Sequence, residues 1–196
     1  MKNPSLGKAK TRLAATLGKE KALEIYLKLL EHTRNVALEV YAERNLFYSD
    51  FVDNQDEWLN EFFQKHIQDQ SPDLGQKMYS AFSDLLKIGK KKVLIIGSDC
   101  LELNSEIINR AFVSLDLKQT IIGPAIDGGY YGIGFNFEKL NSLADEVLQK
   151  VFLNKTWSHD AVFLEAEAAL KALTIEYSLM PTLSDVDVEG DALSLL

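Results

Sequence analysis

The chain has 196 residues, 46% of them hydrophobic and 26% charged, a profile that excludes disordered and fibrous classes and predicts one globular domain spanning 1–196. A domain of this length buries roughly 70% of its unfolded surface, so no disulfide or structural metal is needed to hold its core; the lone Cys100 cannot form an internal bridge and suits a reducing compartment. The net charge of -8 and pI near 4.9 exclude a broad nucleic-acid surface. No apolar run approaches the ~18 residues of a membrane span and no secretory signal opens the chain, so a cytoplasmic location is expected.

Apolar positions Ala22, Tyr26, Leu29, Val36 and Val40 recur at helical spacing and predict a long helix over 19–41. Residues 44–49 read as a short strand and 61–67 as a weaker one. Asp73 is placed to cap a helix with buried face Leu74, Met78, Ala81, Phe82 and Leu85, with Gln76 at the capping-box position. The run Val93 to Ile96 has no polar alternation and predicts a central strand covered on both faces. Asn104 can cap a helix with the stripe Ile107, Ile108, Ala111 and Leu115. Strands at 120–122 and 130–135 follow, then a helix from Ser158 to about Leu173 with Ser158 as N-cap, then short strands near 174–177 and 183–186. Helices alternating with strands favour a three-layer α/β/α sandwich.

Five polar clusters fall where strands end or helices begin, the ligand-facing positions of open α/β sheets. Lys2, Lys8, Lys10 and Arg12 lie within twelve residues free of acidic side chains, and with Gly7 they read either as a loop able to hold a pyrophosphate or, equally, as a solvated basic N-terminus. Ser98-Asp99 offers either a hard oxygen ligand for Mg²⁺ at a strand tip or an ordinary helix or turn cap, and Cys100 beside it reads as a small buried residue. Asp127-Gly128-Gly129 permits close backbone approach to a ligand, and equally reads as a hairpin turn. His159 follows Trp157-Ser158 in a first helical turn, where a solvated histidine is favoured over a ligand. Alternation places Asp185 and Asp187 on one strand face, while Glu189 and Asp191 read as an acidic tail.

In this order the clusters resemble a family of uncharacterised bacterial proteins with a glycosyltransferase-A-like, nucleotide-diphospho-sugar-transferase fold and a mostly parallel mixed sheet. Members read approximately K-x-P-x-x-G-x-x-K-T-R-L, D-L-G-x-R-M, I-G-S-D-C-P, G-P-A-x-D-G-G-Y-Y, W-S-x and D-V-D; this chain supplies Lys2 to Leu13, Asp73 to Met78, Ile96 to Cys100, Gly123 to Tyr131, Trp157-Ser158 and Asp185 to Asp187. The resemblance implies a transferase using a nucleotide-linked donor and a further acceptor. Gly7, Lys8, Lys10 and Arg12 would hold the donor phosphates, with Asp73, Gly75 and Lys77 near the nucleobase and Ser98, Gly128 and Gly129 lining the nucleotide. Asp99 and Asp187, or Asp185 in place of Asp187, would ligate a divalent metal, Mg²⁺ or Mn²⁺, and Asp127 would act in catalysis. Glycosyl transfer leads. Nucleotidyl transfer to a phosphorylated acceptor and non-catalytic nucleotide binding are the alternatives.

The chain departs from the pattern at Leu101 in place of proline, Lys77 in place of arginine and Val188 in place of threonine. Members also carry an apolar strand before the K-x-P loop, where only Met1 precedes Lys2 here. About five further apolar residues, another segment, or a second copy in a homodimer are expected to fill that slot.

Overall fold

The computed structural model describes residues 1–195. The fold is mixed α/β, and its contacts divide it into two compact units: Met1–Ile67, Gly97–Ser105 and Ser184 onward form the first, and Gln68–Ile96 with Glu106–Leu183 the second.

In the first unit, α1 (Thr11–Leu17) and α2 (Lys19–Leu38) are separate helices because Gly18 between them has φ 84°. α2 buries Ala22, Tyr26, Leu29 and Val36 of the expected stripe, together with Ile25 and Leu30, while Val40 lies beyond its end. It ends three residues earlier than the spacing predicts. The Arg44 guanidinium satisfies the terminal carbonyls, donating to Ala37, Leu38 and Val40 at 2.6, 3.0 and 2.8 Å. β1 (Asn45–Tyr48) and β2 (Gln64–Ile67) then pair in parallel, Asn45 opposite Gln64. Met1 lies alongside β1, its amine donating to Phe47 and its carbonyl accepting from Ser49 N–H. The helical face of Leu13, Ala22, Ile25 and Leu29 packs on Val186 and Ala192. These two apolar residues anchor a segment that charge alone would leave in solvent.

The second unit holds a four-stranded sheet of order β3-β5-β4-β6, from β3 (Lys92–Ile96), β4 (Thr120–Pro124), β5 (Tyr130–Asn136) and β6 (Tyr177–Leu179). β5 is antiparallel to both neighbours and β4 is parallel to β6. The expectation of a central Val93 to Ile96 strand does not hold: β3 is at the sheet edge and only Val93 is buried. The all-apolar run instead reflects one strand half-covered on both faces. β5 and β4 hold the two inner positions, and every residue of β4 is buried.

Helices α3 (Leu74–Lys87), α4 (Ser105–Leu117), α5 (Phe137–Leu140), α6 (Ala144–Phe152) and α7 (Val162–Ala172) complete the order. Asp73 caps α3 as expected, accepting from Gln76 N–H at 2.7 Å. Phe82 of α3 lies edge-on to Phe135 of β5 and stacked on Phe152 of α6, at 4.9 and 5.4 Å, in a core that also takes Val147, Leu148 and Val151. Burying each such side chain stabilises by about 1.5–3 kcal/mol. α7 starts four residues later than expected. Ser158, at φ 66°, is not its cap, and the His159 ring accepts from Ala161 N–H instead. The strand expected at 174–177 is shifted to β6, and Leu183 makes only a single bridge, to Ala125.

Candidate functional site

The first unit brings four of the expected site residues together. A turn closed by Lys8 N–H on Ser5 C=O, with Gly7 at φ 73°, leads to Lys10 at φ 47° and ψ 52° immediately before α1. That left-handed geometry costs a non-glycine residue about 1–2 kcal/mol. The Lys10 ammonium contacts Asp99 Oδ2 and Asp187 Oδ1, each at 3.0 Å, and its side chain is only 6% exposed. Arg12 Nη1 reaches Asp187 Oδ2 at 3.3 Å, but the Arg12 side chain is 66% exposed. Lys8 is exposed and lies outside this cluster.

The two aspartates meet because their backbones are tied. Val186 N–H donates to the Asp99 carbonyl at 2.8 Å and Ser184 N–H to Glu102 Oε2 at 2.7 Å. Asp187 and Val188 N–H both donate to Asp191 Oδ2, at 3.0 Å each. Residues 185–188 are not a strand, so these tethers, and not strand alternation, set the position of Asp187. Asp191 is part of the frame, against the reading of it as tail.

Tyr26 closes the cluster from α2: its hydroxyl donates to the Lys2 carbonyl at 2.8 Å. Burial first, then the Asp99 charge, hold its phenol above the ordinary 10.0, while hydrogen bonds to Ser98 and Lys2 act in the opposite sense. Asn3, buried, fixes the loop after β1: its amide donates to the Phe51 carbonyl at 2.9 Å and its Oδ1 accepts from Asp50 N–H at 3.0 Å. Burial pushes the Cys100 thiol up to about 11, so it is an inert apolar neighbour of Asp99.

The donor set fits a hard divalent cation. Two carboxylates converge on one positive point, for which the Lys10 ammonium stands in. Mg²⁺ commonly takes one or two carboxylates and completes its shell with water and substrate phosphate. Among the described residues no group of three or more His, Cys, Asp and Glu side chains is placed to hold a metal.

The remaining expected residues belong to the second unit. Gly75 is buried in α3, where a Cβ would meet the Phe152 carbonyl oxygen at 2.0 Å and Trp157 Nε1 at 2.7 Å. Lys77 is half-buried one turn into the same helix. In the β4–β5 turn, Gly128 has φ 90°, and a Cβ there would meet the Asp160 carbonyl oxygen at 2.0 Å. Asp127 is exposed, with Oδ1 accepting from Gly129 N–H at 2.9 Å. The segment 157–160 is therefore the common neighbour of both glycines. Trp157 Nε1 and the Tyr130 hydroxyl are shielded there without a hydrogen-bond partner among the described residues.

Tyr26, Asn3, Glu102 and Asp191 were not singled out as site residues by sequence. The spacing of Tyr26 marks it as part of a buried helical stripe and says nothing of its hydroxyl, and Asn3 carries no spacing signal. Asp191 does, since a carboxylate three and four residues after two backbone donors is placed to cap them.

With the geometry in view, the chain can be compared with known proteins. The family described as "uncharacterized protein conserved in bacteria", DUF2064, matches residues 32–159, more than half of the chain. A candidate nucleotide-diphospho-sugar transferase from Desulfovibrio desulfuricans G20 is 28% identical with a TM-score of 0.84, covering 96% of this chain and 80% of that one. CMP:2-keto-3-deoxy-manno-octonic acid synthetase complexed with CTP shares the fold at TM-score 0.56 and 8% identity, covering 85% of each chain. So does 4-diphosphocytidyl-2C-methyl-D-erythritol synthase from Anaerococcus prevotii DSM 20548, at 0.57 and 9%, covering 85% of this chain and 83% of that one. None of the curated proteins compared with the chain matches it. Among the described residues no helix is long and apolar enough to cross a membrane.

Proposed function

Since the chain belongs to the DUF2064 family of bacterial proteins, we propose that it is a transferase acting on a nucleotide-linked donor, with glycosyl transfer from a nucleotide-diphospho-sugar as its reaction. The observation that carries this reading is the convergence of Asp99 and Asp187 on one cationic point beside Lys10 and Arg12. Two carboxylates suit a divalent cation, and two basic side chains suit the phosphates such a cation would bridge. The likeness to the Desulfovibrio protein supports the same donor class.

Asp99 and Asp187 would hold Mg²⁺ or Mn²⁺, which when bound supplies charge stabilisation to the departing diphosphate. Lys10 and Arg12 bind and orient that diphosphate, Arg12 from its exposed position at the outer side of the cluster. Gly7 supplies the turn that delivers Lys10, and Ser98 with Tyr26 steadies the segment carrying Asp99. In the transfer, an acceptor hydroxyl bonds to the anomeric carbon as the bond from that carbon to the diphosphate oxygen breaks. The bonding pair leaves with the diphosphate, and the hydroxyl proton passes to solvent water.

Nucleotidyl transfer is the second reading, favoured by the CTP-bound synthetase of the same fold. Incubation with panels of nucleotide-diphospho-sugars and nucleoside triphosphates, with Mg²⁺ or Mn²⁺, separates the two. Release of nucleoside diphosphate supports glycosyl transfer, release of pyrophosphate supports nucleotidyl transfer, and tight binding without either marks a non-catalytic nucleotide-binding protein.

A further inference from the structure

The position of Lys10 carries a consequence for how the site fills. We propose that Lys10 is an internal counter-ion that a divalent cation must displace, so that metal and anionic donor enter the site cooperatively. This rests on the reading of Asp99 and Asp187 as metal ligands.

The argument begins with charge. Lys10 and Arg12 set two positive charges against the two negative charges of Asp99 and Asp187, the carboxylates they contact. Lys10 is the tight member: its ammonium is 3.0 Å from both carboxylates and its side chain is 6% exposed. An ammonium so withdrawn from water depends on its partners for the stabilisation that hydration would otherwise give. Arg12, two-thirds exposed and paired with Asp187, keeps most of its hydration and can swing away freely.

Geometry makes the competition direct. Mg²⁺ bonds carboxylate oxygen at about 2.0–2.1 Å, and Nζ of Lys10 lies between Asp99 Oδ2 and Asp187 Oδ1 at 3.0 Å from each. Metal and ammonium cannot share that position. A metal arriving alone must expel the ammonium beside a fresh double positive charge, leaving Lys10 without a carboxylate. A diphosphate arriving alone must meet a cluster whose lysine is already engaged. Arriving together, the metal takes the carboxylates and the phosphate takes the lysine. Each ligand thus raises the affinity of the other by the same factor.

Mn²⁺ binding in the absence of nucleotide tests the proposal, measured by the electron paramagnetic resonance of the free ion for wild type, Lys10→Met and Arg12→Met. Lys10→Met is expected to bind Mn²⁺ alone at least tenfold more tightly than wild type, with Arg12→Met within threefold of wild type. Equal affinity of Lys10→Met and wild type overturns the proposal. Because Lys10→Met also takes from two carboxylates their buried counter-ion, wild type carries a second readout: acetylation of Lys10 by a water-soluble reagent, followed by peptide mass spectrometry. Lys10 is expected to be protected without ligands and to gain reactivity severalfold with saturating Mn²⁺; unchanged protection under those conditions overturns the proposal. If Mn²⁺ with nucleotide binds wild type and is lost in Asp99→Asn while both Lys10 readouts stay flat, the counter-ion idea fails and the metal site stands. If Mn²⁺ binds no form of the protein, with or without nucleotide, both fail.

Discussion

Gly75→Ala separates a packing role from a ligand-binding one. At this position in α3 the added methyl would lie 2.0 Å from the Phe152 carbonyl oxygen, and 2.7 and 2.8 Å from Trp157 Nε1 and Cζ2. Ordinary van der Waals contact begins near 3.4 Å, so α3 and the end of α6 must part by more than 1 Å, and the obstructing oxygen is backbone. Overpacking of this kind costs about 1–3 kcal/mol, and the upper part of the range is expected because no side chain can rotate away. The gain in helix propensity from Gly to Ala offsets about 0.8–1 kcal/mol. A net loss of roughly 1–2 kcal/mol lowers the melting temperature by about 2–8 °C in a protein of this size. Circular-dichroism melting measures it, with nucleotide calorimetry on the same variant. An unchanged or raised melting temperature refutes the packing argument, and if nucleotide affinity alone falls, Gly75 works at the ligand.

Asp191→Ala removes the shared acceptor of two backbone donors, each such bond contributing about 0.5–1.5 kcal/mol; metal affinity is expected to fall several-fold with a small change in melting, and unchanged metal affinity would show that Asp187 needs no such frame. Replacing both Lys10 and Arg12 by alanine should weaken nucleoside diphosphates far more than nucleosides, and equal losses for the two ligand classes would point to a folding defect. The raised Cys100 thiol stabilises the fold fully below its ordinary 9.0, and that contribution is lost as pH rises through about 11. Alkaline unfolding of Cys100→Ala should therefore show a shallower decline over that window than wild type, and identical curves would count against the assignment.

The sequence made α2, α3 and the basic loop legible because each has a local cause: apolar periodicity, an Asp73 cap with its Gln76 donor, and lysines spaced around Gly7. Helix α6 was passed over, although it fills the centre of the second core, because nine residues after a short α5 give periodicity little length in which to register. The buried run of β3 looked central because composition reports how apolar a strand is and not how many neighbours it pairs with. Asp99 at its strand tip and Asp187 beside Asp185 each stand out locally, but their pairing across 88 positions of chain follows only from the motif resemblance. No local pattern states that Val186 N–H will bond the Asp99 carbonyl, or that Lys10 will sit between the two carboxylates. Tertiary packing of Val186 and Ala192 on α1 and α2 decides both.

The central claim is that Asp99 and Asp187 hold a divalent cation through which a nucleotide-linked donor is bound. Calorimetric titration of nucleoside diphosphates into wild type and Asp99→Asn, each with and without Mg²⁺ or Mn²⁺, tests it most directly. The account predicts metal-dependent affinity in wild type, and in Asp99→Asn the loss of the metal-dependent part alone, with the melting profile of the fold retained. Metal-dependent affinity that survives intact in Asp99→Asn would contradict it.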